Sequence, residues 1–160
     1  MSRVLLATIV LGLLSATAGA DPCNISIEAT DTMQFNTSSL SAPTTCPVIE
    51  VTLRHSGKQR ARIMGHNWVL TRDSDMTAVA SAGLNAGFAQ NYQPARDQRI
   101  IAATPIIGGG ESATVRIDTS RLTPGGSYTF FCSVPGHAAL MKGKLSFGAR
   151  GAVTASNRPP

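Results

Sequence analysis

YTFFCSVPGHAALMKGKLSF, residues 128–147, holds most of what decides the fold. Tyr128-Thr129-Phe130-Phe131 has the aromatic and β-branched composition of a strand. From Lys142 to Phe147, polar positions alternate with small or apolar ones, the period of a half-buried strand. Pro135-Gly136 marks a tight loop between them. The same pattern extends outward along the chain. Ile49, Val51 and Leu53 alternate with Glu50, Thr52 and Arg54, and Ile25 and Ile27 with Ser26 and Glu28. Asn67–Leu70, Arg99–Ile101 and Val115–Ile117 read as further strands, and Trp68, flanked by apolar residues, as core. Ser56-Gly57, Gly108-Gly109-Gly110 and Pro124-Gly125-Gly126 are turn signals. One segment differs: Asp73 or Ser74 is placed to cap a helix through about Gly83, with Met76, Val79, Ala80 and Leu84 at helical spacing. About seven or eight short strands with one helical insertion predict an all-β Greek-key sandwich or barrel.

Length and composition set the bounds. One domain with a real core suits 160 residues, and 42% hydrophobic content excludes a mainly disordered chain. The net charge of +5 is modest and its basic residues are spread along the chain, which argues against nucleic acid as the partner. Residues 1–20, MSRVLLATIVLGLLSATAGA, join Arg3 to an apolar run and an Ala18-Gly19-Ala20 cleavage site. That is the pattern of a secretory signal peptide, its apolar run too short for membrane insertion. No twin arginine precedes it, and Asp21 and Pro22 stand between the cleavage site and Cys23, against a lipoprotein. The expected organisation is therefore a signal peptide at 1–20, a domain at 21–148, and a small, polar, Pro-terminated tail at 149–160 without fixed structure. The mature protein, at +4 without Arg3, is expected in the periplasm.

Export changes the reading of the cysteines. Cys23 and Cys46 lie close together near the mature N-terminus, flanked by Pro22 and Pro47, and an oxidising compartment favours their pairing. Cys132 is left over, a free thiol that needs a reason. It opens the pattern Cys132-x4-His137-x3-Met141: thiol, imidazole and thioether on one Pro-Gly loop. Soft sulfur ligands favour copper, and a Cys, two His and a distant axial Met make a blue-copper electron-transfer site. Each residue alone is more ordinary as core filler; the combination is not. For the second histidine, His66 in Met64-Gly65-His66-Asn67 is preferred to His55 at the end of a strand. A glycine before the ligand lets a carbonyl approach a metal closely, and Asn67 can fix the loop by hydrogen bonds.

Three stretches carry a family resemblance: DTMQFN (31–36), MGHNWVL (64–70) and FFCSVPGHAALMKG (130–143). With Cys23 and Cys46, they resemble the azurins, small blue copper proteins of the cupredoxin superfamily, from about Cys23 to Phe147. The resemblance implies a cupredoxin-like fold and one copper per chain, held by His66, Cys132 and His137. Met141 is implied as a long axial ligand, with the Gly65 carbonyl as a weak contact opposite it. Asn67 is implied to support the Cys132 sulfur, and His55 to be a neighbour rather than a ligand. An apolar docking surface of Met33, Ile63, Met64, Leu84, Val134 and Ala138 is implied around His137. The partners implied are redox proteins such as c-type cytochromes and periplasmic oxidoreductases, met by a monomeric carrier that is not an enzyme. There are departures: Val134 stands where azurins commonly carry Phe, Ala103 replaces a surface histidine of some members, and the tail runs past the usual end. A copper-storage or delivery protein could use the same ligands. A two-copper enzyme lacks the histidines, and an adhesive β-sandwich leaves Cys132 unexplained.

Overall fold

Strand β3 (Val48–His55) buries Ile49, Val51, Leu53 and His55 and turns the intervening side chains outward, as its alternation requires. In the computed structural model, which describes residues 21–148, β3 is the middle of a three-stranded sheet. β1 (Asn24–Ala29) pairs with it in parallel and β6 (Ser112–Asp118) antiparallel. The signal peptide expected at 1–20 and the tail expected at 149–160 lie outside the described residues.

The second sheet has five strands in the order β2 (Ser39–Ala42), β8 (Lys142–Phe147), β7 (Ser127–Phe131), β4 (Val69–Arg72), β5 (Ala102–Ala103). β2 runs parallel to β8 and the other pairs are antiparallel. The chain crosses between the sheets at most connections, whereas β4–β5 and β7–β8 stay within the five-stranded sheet, and the result is the expected mostly-β, two-sheet architecture. From Tyr128 onward β7 is buried on both faces, and this explains why Phe130 and Phe131 stand side by side. Phe130 packs between the sheets, stacked on Trp68 at 5.9 Å between centroids. Phe131 points the other way and packs with Val69 under Val79 of helix α2 (Met76–Ala86), so this outer face has its own small core. Before α2 comes α1 (Ala61–Met64), a single turn.

Local reading and structure part at three places. Asp73 does not cap α2: its carboxylate accepts from Thr129 Oγ1 at 2.7 Å and Lys144 Nζ at 2.5 Å, which ties the helix entry to β7 and β8. The strand expected at 99–101 begins later, because Arg99 turns back onto the Asp97 carboxylate and only Ala102–Ala103 join β4. β2 and α1, four residues each, are too short for a periodicity to show. Cys23 and Cys46 are bonded, linking the approach to β1 with the approach to β3 across 23 positions. A loop of that size contributes about 3 kcal/mol by restricting the unfolded chain.

Candidate metal centre

Two registers converge at one end of the five-stranded sheet. β4 sets Val69 opposite Phe131, so residues just before β4 run beside residues just after β7. There the Ser133 N–H donates to Asn67 Oδ1, while Asn67 Nδ2 donates to Ser133 Oγ and to the Asn91 carbonyl, all at 2.8 Å. β7 and β8 pair Phe131 with Lys142, and one step further the Cys132 N–H donates to the Met141 carbonyl at 3.0 Å. Cys132 and Met141 thus form the base of the ligand loop, and His137 is set within it by a turn. The His137 N–H donates to the Val134 carbonyl at 3.0 Å across Pro135-Gly136. Gly136 sits at φ 83°, ψ −21°, the third position of a type II turn, where a side chain would be strained.

The side chains of His66, Cys132 and His137 meet there, all buried. Their donor atoms form a triangle with edges of 3.2 Å (Nδ1 to Nδ1), 3.9 Å (Sγ to His66) and 3.6 Å (Sγ to His137). The point equidistant from those corners lies about 2.1 Å from each, within the usual reach of a first-row metal ion to nitrogen and near that to sulfur. The donor set therefore fits one such ion, and two imidazoles with a thiolate suit copper.

The surroundings prepare the lone pairs. His66 Nε2 lies 2.8 Å from the Thr30 carbonyl. A carbonyl only accepts, so Nε2 carries the hydrogen, and in the neutral ring Nδ1 faces the other donors bare. Burial lowers the His66 pKa to about 4, against the opposing pull of the Thr30 bond, and burial lowers that of His137 as well. Burial also pushes the Cys132 thiol up to about 11, with the backbone N–H groups of Asn67 and Val134 pulling the other way. Ionisation at neutral pH therefore needs the metal's charge. His55 has no nitrogen to offer: Nδ1 accepts from the Gly57 N–H at 3.0 Å, leaving Nε2 to donate to the Met64 carbonyl at 2.8 Å. It stacks on His66 instead, at 4.7 Å between centroids.

The depressed His66 pKa has a consequence for the metal-free chain. Between about pH 6.5 and 4 the unfolded ring takes up a proton that the folded ring refuses. The unfolded state then binds more protons, so stability falls as pH falls through that window. The urea midpoint of copper-free protein is expected to be lower at pH 4.5 than at pH 7. An unchanged midpoint would mean that the ring is protonated as readily in the fold as outside it.

Gly65 directly precedes His66, and a Cβ there would come 2.2 Å from the Ala61 carbonyl oxygen and 2.6 Å from Ile106 Cγ2. With φ at −75°, glycine is required for space rather than for conformation. Met141 is wholly buried, and its N–H donates to the His137 carbonyl at 2.8 Å. Of the apolar surface residues, Ile63 and Leu84 are strongly exposed, whereas Met33, Met64, Val134 and Ala138 are half-buried. Val134 also packs against the main core, and Ala103 against the Val69–Phe131 cluster. Sequence reasoning missed Thr30, Ser133, Asn91 and the exposed Leu140. Ser133 could have been found from its place beside Cys132; Asn91, at φ 56°, reaches Asn67 from a loop 24 residues away and has no local signal.

A family model described as copper binding proteins, plastocyanin/azurin family, matches residues 21–148. An azurin from Achromobacter denitrificans is 49% identical over 137 residues, spanning 86% of this chain and 92% of that one. An azurin from Pseudomonas aeruginosa is 43% identical over 146 residues, spanning 91% and 99%. Among solved structures, the azurin Az-iso2 from the methylotroph Methylomonas sp. strain J superposes with a TM-score of 0.76 at 42% identity, covering 78% of this chain and 97% of that one.

Proposed function

The chain belongs to the plastocyanin/azurin family of copper binding proteins, and from that premise we propose that His66, Cys132 and His137 would hold its copper. It is a blue copper electron carrier. In this reading Met141 would add a weakly held thioether and Gly65 a weak carbonyl contact to the copper. The observation that carries it is the triangle itself, three buried donors around one metal-sized point.

When bound, copper supplies a one-electron couple between Cu(I) and Cu(II). The chain's part is to keep the donors still while the charge changes. Asn67 clamps the approach to His66 against the start of the ligand loop. Thr30 fixes the His66 tautomer, and the hydrogen bond between Cys132 and Met141 closes the loop at its base. Donors held in this way need little rearrangement on gaining or losing an electron. His66 and Cys132 are fully enclosed, whereas 6% of His137 reaches the surface, which favours His137 as the electron's exit. Braced donors favour retention of the ion through redox cycles over storage and release.

The protein acts with redox partners; c-type cytochromes and periplasmic oxidoreductases are the classes proposed, met by a monomer on the apolar surface of Met33, Ile63, Met64, Leu84, Val134 and Ala138. Substrate turnover is not part of the reading. We also propose export to the periplasm by residues 1–20, with a domain at 21–148 followed by a separate C-terminal tail at 149–160. Among the described residues no helix is long and apolar enough to cross a membrane.

Titration of the mature apoprotein with Cu(II) tests the reading. An intense blue band is expected to saturate at one copper per chain, bleach with ascorbate and return with oxidant. A folded, metal-free protein that gives no such band would overturn the ligand assignment.

A further inference from the structure

Four of the chain's 14 basic residues fall within the nine positions 54–62, on the approach to Gly65-His66. Residues 54–62 read RHSGKQRAR, with Arg54, Lys58, Arg60 and Arg62 and no acidic residue among them. Lys58, Arg60 and Arg62 are exposed, and among the described residues no ion pair engages any of the three. The nearby Asp31 carboxylate is turned onto the backbone N–H groups of Lys58 and Gln59, at 2.8 and 3.2 Å. One inward-bonded negative charge thus faces an excess of outward positive ones.

The placement of this edge is as telling as its charge. Arg60 immediately precedes α1, Arg62 lies in it, and Gly65-His66 follow directly. On its other side the Arg62 guanidinium lies 4.5 Å from the centre of the Phe88 ring, just beyond the end of α2. Leu84 of α2 lines one cleft with Val134, Gly136 and Ala138 of the ligand loop. The Lys58–Arg62 edge thus meets the segment that follows α2, Leu84 of α2 borders the ligand loop at 55% exposure, and Ile63, next to Arg62, is 66% exposed. A small apolar face flanked by unpaired cations has the layout of a short-lived docking site, in which contact area sets affinity and charge sets encounter rate and partner choice.

We propose that the Lys58–Arg62 edge is the selective half of the docking face, and that it recruits a redox protein whose own electron-transfer face is ringed by acidic side chains. The inference rests on the reading that electrons leave through His137. Long-range attraction aligns the two faces before contact, and the apolar surface then seats the partner.

The test uses copper-loaded protein and one haem protein at two charges: reduced mitochondrial cytochrome c, unmodified and basic, or succinylated and acidic. At about 10 mM ionic strength, where screening extends only beyond roughly 30 Å, the succinylated form is expected to reduce the copper protein at least about tenfold faster, an advantage lost at high salt. Lys58→Gln/Arg60→Gln is expected to cut that rate about fivefold, whereas Arg72→Gln/Arg116→Gln, the same charge change elsewhere, alters it less than about twofold. Equal losses in the two variants, or none in either, would overturn the proposal. So would binding to phosphatidylglycerol vesicles that Lys58→Gln/Arg60→Gln abolishes while the cytochrome rates stay unchanged, since the edge would then serve a membrane. Reduction by ascorbate and the blue band are followed in every variant. Their loss in the unmodified protein defeats the carrier reading, whereas their persistence with no dependence on partner charge defeats only this inference.

Discussion

Cys132→Ser is expected to erase the blue band, by at least about a hundredfold in intensity, and to end electron transfer to protein partners, while the chain still folds. The colour of such a site comes from a soft thiolate on Cu(II), and a serine oxygen supplies neither the softness nor, near neutral pH, the charge. The buried thiol already sits at about 11 and ionises only with the metal's help; an alcohol starts several units higher. Folding has less at stake. Serine is nearly isosteric, and the backbone N–H groups of Asn67 and Val134 that face the sulfur can donate to a hydroxyl instead. The metal-free variant should therefore unfold within about 1 kcal/mol of the parent. The gain in melting temperature on adding copper, which scales with the logarithm of affinity, should largely disappear. Three readings (absorption, metal-free stability and the copper-induced shift) separate loss of the site from loss of the fold. A variant that kept the blue band would show that Cys132 is not its source.

How far the sequence speaks depends on whether the deciding interaction is local. β3 and β8 are legible because alternation is written into consecutive residues, and the bounds of β8 fall where the pattern places them. Asp73 is a sound cap by propensity and does something else, because Lys144 and Thr129, 71 and 56 positions away, compete for its carboxylate. β2 is only four residues, Ser-Leu-Ser-Ala, and its parallel partner β8 makes it a strand. The site divides in the same way. Cys132, His137 and Met141 share one loop, so their spacing announces them. The choice of His66 over His55 could be argued from position, but its physical reason is tertiary: both nitrogens of His55 are committed, to Gly57 and Met64, while one of His66 faces the thiol. Asn91 was out of reach because nothing in its neighbourhood shows that its carbonyl meets Asn67.

Asn67→Ala is expected to cost about 3–5 kcal/mol of folding stability and to loosen the metal site as well. The side chain supplies three hydrogen bonds at 2.8 Å, in a place where both it and Ser133 are buried. Truncation strands the Ser133 N–H, which has no second partner among the described residues, and removes a donor from both the Asn91 carbonyl and Ser133 Oγ. The Ser133 hydroxyl keeps only a long 3.4 Å bond to Asn91. A buried group left without its partner costs about 1–3 kcal/mol, and the three share one network, so the losses do not simply add. Ser133→Ala provides the internal comparison: it removes the hydroxyl but leaves its backbone N–H on Asn67, and about 1 kcal/mol is expected. Urea unfolding of the two metal-free variants measures the difference. Because Asn67 joins the segment bearing His66 to the loop bearing Cys132 and His137, the same substitution should hasten copper loss to a strong chelator, an effect that Ser133→Ala should barely share. If the two variants unfold alike, the clamp between those segments is not the Asn67 amide, and the rigidity assigned to the donor triangle must come from the sheet register alone.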